Sequence, residues 1–228
     1  MTKAPRAGKV KTRLTPPLTP DEAAALNICF LRDTTNAIRD ASSKTRAHGI
    51  AVYTPGGEEE AYAEILPHDF QLVLQRGDGF GERLFLAAED LLSLGFESFC
   101  LIDSDSPTVP ENIYARAAHT LSRPGDHMVF GPSDDGGYYL IGLRKPHRRL
   151  FEDIDWSTER VAEQTLQRAK EIGLEVELLP TWYDVDDSKT LHRLCDRLLA
   201  GDEHAPATRN FLEQLIKREG RERIWPNE

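Results

Sequence analysis

Short apolar runs alternate with longer segments whose apolar residues recur at helical spacing, from about residue 20 to near the end of the chain. The run Phe99–Ile102 is apolar at every position, which is typical of a central strand covered on both faces. This alternation predicts a mostly parallel sheet with helices on both faces. We therefore expect an α/β, Rossmann-like fold in a single domain over residues 1–228.

The predicted strands lie at residues 50–53, 70–74, 99–102, 128–130, 138–143 and 175–178. The predicted helices lie near residues 19–40, 58–66, 81–94 and 111–121, from 158 onward, and near 189–199 and 208–218. The first helix has a clear start, because Thr19 and Glu22 are spaced to form a capping box with Pro20 in the first turn.

Composition excludes several classes of protein. A formal net charge of -10 argues against a general binder of nucleic acid or of membrane surfaces. No apolar run approaches the ~20 residues that span a bilayer. Cys29, Cys100 and Cys195 are widely separated, which favours reduced thiols in a cytoplasmic protein over disulfides or a zinc site. The oligomeric state does not follow from the sequence.

Acidic residues follow the predicted central strand, where ligands of such sheets bind. Asp103 and Asp105 occupy alternate positions directly after Ile102, and paired carboxylates of this kind can hold Mg²⁺. The alternative is a loop with an Asx turn ahead of Pro107. Because the strand is predicted to be fully buried, we favour the metal interpretation.

Two further acidic clusters follow strands. Residues 133–139 contain Asp134, Asp135, Gly136 and Gly137, which could approach a ligand closely; taken alone, however, Asp-Gly favours a hairpin turn. Residues 184–187 contain three aspartates, of which one could be the N-cap of the following helix.

The first 14 residues carry five basic side chains and no acidic one. Gly8 and Lys11-Thr12 do not form a P-loop, which needs contiguous Gly-Lys-Thr. The segment could still bind phosphate through Lys3, Lys11 and Arg13, or it could be a solvated basic tail. Residues 76–83 form a second glycine-rich loop that fits either a nucleotide contact or a tight turn.

The order of these motifs resembles a bacterial family of predicted glycosyltransferases with the nucleotide-diphospho-sugar transferase (GT-A) fold, distantly similar to 2-phospho-lactate and molybdenum-cofactor guanylyltransferases. The resemblance covers essentially the whole chain and is most specific over residues 131–143. The matching segments are Lys3–Leu14, Gly77–Arg83, Asp105–Pro107, Gly131–Leu143, Trp156–Thr158 and Asp184–Asp186.

The resemblance implies a transferase that uses a nucleotide-sugar or nucleoside triphosphate donor with Mg²⁺ or Mn²⁺ and an unknown small-molecule acceptor. Asp105 and Asp186 would bind the metal, with Asp103 as a further candidate, and Asp105, Lys11 and Asp135 are the candidate catalytic residues. The nucleotide and its phosphates would contact Lys3, Gly8, Lys11, Thr12, Arg13, Arg76, Gly77, Gly81 and Arg83. The second substrate would contact Asp134, Asp135, Gly136, Gly137, Trp156, Ser157 and Thr158.

Two alternatives and one departure from the family pattern remain. A haloacid dehalogenase-type phosphohydrolase would use Asp103 as nucleophile, although that family has Thr where this chain has Pro107. A non-catalytic nucleotide-binding module is the second alternative. Family members usually have an apolar strand before Lys-Ala-Pro, so we expect such a strand upstream of Lys3 and a disordered or displaced N-terminal loop in its absence.

Overall fold

The structure is a computed structural model that describes residues 1–224. Its strands in this range are β1 (Thr2–Lys3), β2 (Ile50–Thr54), β3 (Gln71–Leu74), β4 (Phe99–Ile102), β5 (His127–Pro132), β6 (Tyr138–Leu143) and β7 (Glu175–Leu178). Its α-helices are α1 (Pro20–Ser42), α2 (Phe80–Ser93), α3 (Glu111–Leu121), α4 (Val161–Glu171), α5 (Ser188–Ala200), α6 (Pro206–Glu219) and α7 (Arg221–Ile224). Short 3₁₀ turns lie at Thr12–Leu14, Glu59–Tyr62 and Arg148–Phe151.

The strands form two hydrogen-bonded groups. The first is parallel in the order β1-β2-β3, and the second has the order β4-β6-β5-β7. Strands β5 and β7 are parallel, whereas β6 runs antiparallel to both β4 and β5. Residues 133–137 therefore form the hairpin that Asp-Gly favours, and the predicted α/β class is confirmed.

Helices cover both faces of the second sheet. Met128 and Phe130 of β5 pack in the core with α2 and α4, whereas Val129 packs on the opposite face with α1 and α3. This period of two is what a strand buried on both sides requires, because successive side chains point to opposite faces. Alternate side chains of the apolar run in β5 thus pack into the hydrophobic clusters on the two faces of the sheet.

Helix α1 begins as predicted, with Thr19 and Glu22 in a capping box. Further along α1, buried Asp33 accepts hydrogen bonds from the backbone N–H groups of Ala207 and Thr208 at 2.9 and 2.8 Å. These N–H groups belong to the first turn of α6 and have no partner within that helix. Asp33 therefore fixes the start of α6 against α1.

Two predicted helix features differ in the structure. Residues 58–66 form only the 3₁₀ turn Glu59–Tyr62, because the backbone N–H groups of both Ile65 and Leu66 return to the Tyr62 carbonyl and the helical ladder does not continue. Ser157 is not an N-cap, since α4 begins at Val161 and Ser157 itself has a left-handed backbone.

A cavity of about 890 Å³ separates the two sheets. Its walls include residues 50–52 of β2 and 99–102 of β4, with α1 and α3 beneath. The start of the chain bridges it: Thr2 pairs with Tyr53 of β2, and the Met1 α-amino group donates to the Ile102 carbonyl of β4 at 2.7 Å. The cavity thus lies beside the amino-terminal end of β1.

We expect a short Val- and Ile-rich segment added before Met1 to raise the melting temperature by at least about 5 °C. Parallel pairing with β2 would continue the β1 register into the cavity, and each buried aliphatic side chain contributes about 1.5–3 kcal/mol. Differential scanning calorimetry measures the shift. A Gly/Ser segment of the same length is the control, and equal melting temperatures for both extensions would contradict the prediction.

The lowered pKa of Glu22 predicts that the folded protein loses stability in acid. Hydrogen bonds from Arg223, with the backbone bond at Thr19, lower the pKa of Glu22 from 4.5 to about 2. Since the folded-state pKa is depressed, the stabilisation is present above pH 4.5 and is lost as pH falls toward 2. Urea unfolding should show Glu22→Gln less stable than wild type by about 1–2 kcal/mol at pH 7 and nearly equal to it at pH 2.

The control for Glu22 is the exposed Glu213 on α6. Glu213→Gln should track the wild type at both pH values. A Glu22→Gln deficit that is as large at pH 2 as at pH 7 would show that the carboxylate charge is not what stabilises the contact.

Candidate functional site

Three separate segments bring charged side chains together at the carboxyl ends of β1 and β4. Lys11 comes from the loop after β1, Asp105 from the segment after β4, and Asp186 from the segment between β7 and α5. The Lys11 Nζ lies 2.7 Å from Asp105 Oδ1 and 3.0 Å from Asp186 Oδ1, and it donates to the Val185 carbonyl at 2.7 Å. Residues distant in sequence thus form one polar centre.

The Lys11 ammonium is held by charge. Its side chain is 4% exposed, whereas those of Asp105 and Asp186 are 36% and 43% exposed. Burial by itself lowers the pKa of Lys11, but the two carboxylates outweigh that effect and hold the pKa above its usual value. Lys11 is therefore a buried cation whose partners face solvent.

The loop that carries Lys11 is curled and anchored. Gly8 and Lys11 both have left-handed backbones, with φ of 70° and 47°. Val10 and Leu14 point inward and are buried, and the Thr12–Leu14 turn continues from Lys11. A left-handed lysine is strained by about 1–3 kcal/mol, which the buried neighbours and the ion pairs offset. The expectation of a displaced N-terminal loop is therefore wrong.

Two backbone N–H groups, those of Val185 and Asp186, fix the position of the Asp184–Asp187 segment beside Asp105. The Val185 N–H donates to the Asp105 carbonyl at 2.9 Å, and the Asp186 N–H donates to the Thr190 hydroxyl at 3.0 Å. Asp187 accepts from the Thr190 N–H and is the N-cap of α5. The third acidic cluster thus contains one helix cap, as one interpretation of the sequence allowed, and one residue that faces Lys11.

A cavity of about 260 Å³ opens over this centre. Its lining residues are Lys3, Lys9, Val10, Lys11, Thr12, Arg13, Asn27, Ser104, Asp105 and Asp186. The volume suits phosphate groups and an ion better than a whole nucleotide. The structure therefore brings the predicted Lys3, Lys11, Thr12 and Arg13 together with Asp105 and Asp186, and the interpretation of a solvated basic tail does not apply to Lys11.

Asn27 of α1 is a residue that sequence reasoning missed. It is 4% exposed and lines the same cavity, yet its Oδ1 accepts no hydrogen bond from the residues that the structure describes. Buried polar atoms normally have a partner, so an unpaired oxygen here points to a ligand. The available signal was a polar residue within the apolar stripe of Ala23, Phe30 and Leu31.

Asp103 faces a different space. It lines the 890 Å³ cavity between the sheets and is absent from the lining of the cavity over Lys11. Its Oδ2 accepts from Ser106 at 2.8 Å, and burial, followed by the nearby Asp105 charge, raises the pKa of Asp103 to about 8. Asp103 thus lines the cavity between the sheets, whereas Asp105 and Asp186 line the cavity over Lys11.

The hairpin between β5 and β6 borders the site through Asp184. Burial raises the pKa of Asp184 to about 7, with further contributions from the Asp135 and Asp186 charges. Asp135 Oδ1 accepts from the Gly137 N–H at 2.8 Å, and Asp134 forms an ion pair with Arg193. Asp135 and Asp186 thus both act on Asp184, whereas Asp134 is paired with Arg193 of α5. Neither Asp184 nor Arg193 was among the predicted site residues.

The predicted residues of the second glycine-rich loop lie outside the cavity over Lys11. Arg76 forms an ion pair with Asp90 of α2, and Arg83 donates to the carbonyls of Gly77 and Asp78. A Cβ on Gly81 would lie 2.4 Å from the Phe151 carbonyl oxygen, so close packing alone requires a glycine there. These contacts shape the loop without showing what it binds.

Trp156, Ser157 and Thr158 precede α4. The Trp156 ring packs against Phe80, with ring centroids 4.9 Å apart, and the Thr158 hydroxyl donates to the Asp155 carbonyl. Gly136 packs directly on this region: a Cβ there would lie 2.0 Å from the Glu159 carbonyl oxygen. The hairpin and the segment before α4 are therefore one packed unit.

The donor set fits a hard divalent cation bound together with phosphate. Within residues 1–224 no group of three or more His, Cys, Asp or Glu side chains could hold a metal ion by itself. Mg²⁺, however, commonly binds through one or two carboxylates, with water and substrate phosphates supplying the other oxygens. Asp105 and Asp186 would supply those carboxylates, and the unpaired Asn27 oxygen indicates room for a further partner.

The fold is that of the nucleotide-diphospho-sugar transferases. A solved structure from Desulfovibrio desulfuricans G20, described as a "putative nucleotide-diphospho-sugar transferase", is similar with a TM-score of 0.77 and 30% sequence identity. The similarity covers 95% of this chain and 94% of that one. The chain belongs to the family DUF2064, described as uncharacterized protein conserved in bacteria, whose model matches residues 37–158. The matched span includes Asp105 and Gly136 and ends before Asp186.

A weaker likeness is to CMP:2-keto-3-deoxy-manno-octonic acid synthetase, solved in complex with CTP. It has a TM-score of 0.49 and 11% identity, and it covers 74% of this chain and 88% of that one. No curated protein matches the chain. None of the helices within residues 1–224 has the length and apolar character needed to cross a membrane.

Proposed function

We propose that this protein is a divalent-metal-dependent transferase that uses a nucleotide-sugar or nucleoside triphosphate as donor and transfers either the glycosyl or the nucleotidyl group. The observation that carries the proposal is the convergence of Lys11, Asp105 and Asp186 beneath a cavity that is also lined by Lys3, Lys9 and Arg13. The fold and the name of the Desulfovibrio relative support the same class of reaction.

In this proposal Asp105 and Asp186 hold the cation, and the basic side chains of the N-terminal loop contact the phosphates. A bound cation would neutralise charge on the leaving group, which is a nucleoside diphosphate in glycosyl transfer and pyrophosphate in nucleotidyl transfer. Lys11 and Arg13 add fixed positive charge at the same place, which stabilises the leaving group. Such catalysis works by positioning and electrostatics, so no covalent nucleophile is required.

Asp135 and the Gly136–Gly137 backbone are proposed to contact the transferred sugar or the acceptor. None of these three residues lines the phosphate cavity, and the Asp135 charge contributes to the raised pKa of Asp184 together with that of Asp186. Trp156, Ser157 and Thr158 continue that surface through the packing of Gly136 on Glu159.

No observation favours a phosphohydrolase with Asp103 as its nucleophile. That side chain is turned into the cavity between the sheets, and one of its oxygens is engaged by Ser106. It is therefore not aligned with the cavity that Lys11 and Asp105 line. A non-catalytic nucleotide-binding module would use the same site, and binding without turnover is the outcome of the test that would indicate it.

The test is incubation of the protein with Mg²⁺, each of the four nucleoside triphosphates and a panel of nucleotide-sugars, with sugar-phosphate and phospho-acid acceptors. Thermal shift first identifies the donor, since a ligand at 100 times its Kd adds about 2.7 kcal/mol. Mass spectrometry then detects transferred product. Metal-dependent transfer supports the proposal, whereas free phosphate alone, or binding without turnover, would overturn it.

A further inference from the structure

Lys11 occupies the position in which a cation shared by Asp105 and Asp186 would lie. Its Nζ is within 3.0 Å of one oxygen of each carboxylate, and the Val185 carbonyl accepts a third hydrogen bond. Arg13 is more distant, with 3.8 Å between its guanidinium and Asp186 Oδ2. An ammonium and a divalent cation cannot share this space, because both would contact Asp105 Oδ1 and Asp186 Oδ1.

We propose that Lys11 is an internal counterion that a divalent cation must displace, and that the released ammonium then binds the phosphates of the donor. The inference rests on the proposed function for its ligands but goes beyond it. Lys11 then has two positions: one on the carboxylates when no ligand is bound, and one on phosphate when the metal–phosphate complex is bound.

The surroundings of Lys11 allow both positions. Its Nζ lies over the Phe30 ring, 5.4 Å from the centroid, and its flexible four-carbon stem allows the ammonium to move while the backbone stays in place. The cavity it would enter also contains the unpaired Oδ1 of Asn27, an acceptor without a partner among the described residues. Asp105 and Asp186 are partly exposed and so can be approached from solvent.

The exchange makes metal and phosphate binding cooperative. A cation that binds alone leaves the Lys11 ammonium without its carboxylates in a largely buried place, which weakens metal binding. Phosphate oxygens supply new partners for the ammonium, so they offset the loss of its two carboxylate partners. Couplings of this kind are typically about 5–150-fold in affinity, and they are reciprocal between the two ligands.

The experiment measures Mn²⁺ binding by electron paramagnetic resonance of the free ion, for the wild type and for Lys11→Met. The variant removes the competing ammonium and keeps the apolar stem. We expect Lys11→Met to bind Mn²⁺ alone at least about fivefold more tightly than the wild type. We expect the same variant to bind the preformed Mn²⁺–tripolyphosphate complex at least about tenfold more weakly, because a charge-assisted contact to phosphate is lost.

Two further variants make the result decisive. Lys11→Gln keeps a donor for the Val185 carbonyl and repeats the test if Lys11→Met does not fold. Lys217→Met makes the same charge change at an exposed position of α6 and should match the wild type in both titrations.

Unchanged or weaker Mn²⁺ binding in the folded Lys11 variants, with the wild type still binding Mn²⁺–tripolyphosphate, would overturn the exchange alone. A wild type that binds neither Mn²⁺ nor the complex would overturn the proposed function and the exchange with it. Tighter metal binding together with weaker complex binding supports both.

Discussion

Replacing Asp105 by Asn should lower metal-dependent nucleotide affinity by at least about 100-fold while leaving the fold intact. Partners one shell away from a metal are worth about 10–100-fold, so loss of a direct carboxylate ligand should cost no less. Asp105 is 36% exposed and lies after the end of β4 rather than in the core. Lys11 keeps Asp186 and the Val185 carbonyl, so the free energy of unfolding should fall by only about 1–2 kcal/mol.

Isothermal titration calorimetry with Mg²⁺ and the donor found by thermal shift measures this effect, and Asp186→Asn should behave in the same way. Asp69→Asn is the matched control, because Asp69 is exposed and precedes β3, at the opposite edge of the sheet from the site. Unchanged affinity in both Asp105→Asn and Asp186→Asn would remove these residues from the metal site.

Gly136→Ala should destabilise the protein by about 3 kcal/mol or more. A Cβ there would lie 2.0 Å from the Glu159 carbonyl oxygen and 2.5 Å from its carbon, so the hairpin would have to separate from the segment before α4. That movement also breaks the hydrogen bond from the Ala162 N–H to the Gly136 carbonyl, at 2.8 Å. The left-handed backbone, with φ of 91°, adds strain of its own.

Gly57→Ala separates the two causes. Gly57 has a similar φ of 84°, but a Cβ there would meet nothing within 4 Å. Urea unfolding should show a loss of about 1 kcal/mol for Gly57→Ala and a clearly larger one for Gly136→Ala. Equal losses would mean that Gly136 is required only for its backbone conformation and not for the contact with Glu159.

Local signals in the sequence predicted most elements of the fold. Thr19 and Glu22 set the start of α1, and Gly95 follows the end of α2, because caps act within a few residues. The predicted helix at residues 58–66 failed because its amphipathic pattern is too short to offset the cost of nucleation. The role of Asp33 at α6 depends on a contact between residues 174 apart, which no local pattern reveals.

In the site, too, local signals were predictable from the sequence and long-range contacts were not. Asp105 was predicted as a site residue because it directly follows a strand, and Asp186 belonged to the predicted cluster at residues 184–187. The sheet places both residues at one edge. Asn27 and Arg193 lie on helices whose rotation about their axes is set only by packing, so the sequence did not assign them to the site. That Lys11 pairs with both carboxylates depends on the left-handed backbone at that residue, which the sequence does not indicate.

The most direct test of the shared site is a crystal structure of the protein with Mn²⁺ and inorganic tripolyphosphate, with the metal located by anomalous scattering. We predict a single strong peak within coordination distance of both Asp105 and Asp186, with tripolyphosphate in the cavity that Lys3, Lys11 and Arg13 line. A peak that contacts neither carboxylate, or tripolyphosphate bound away from this cavity, would contradict it.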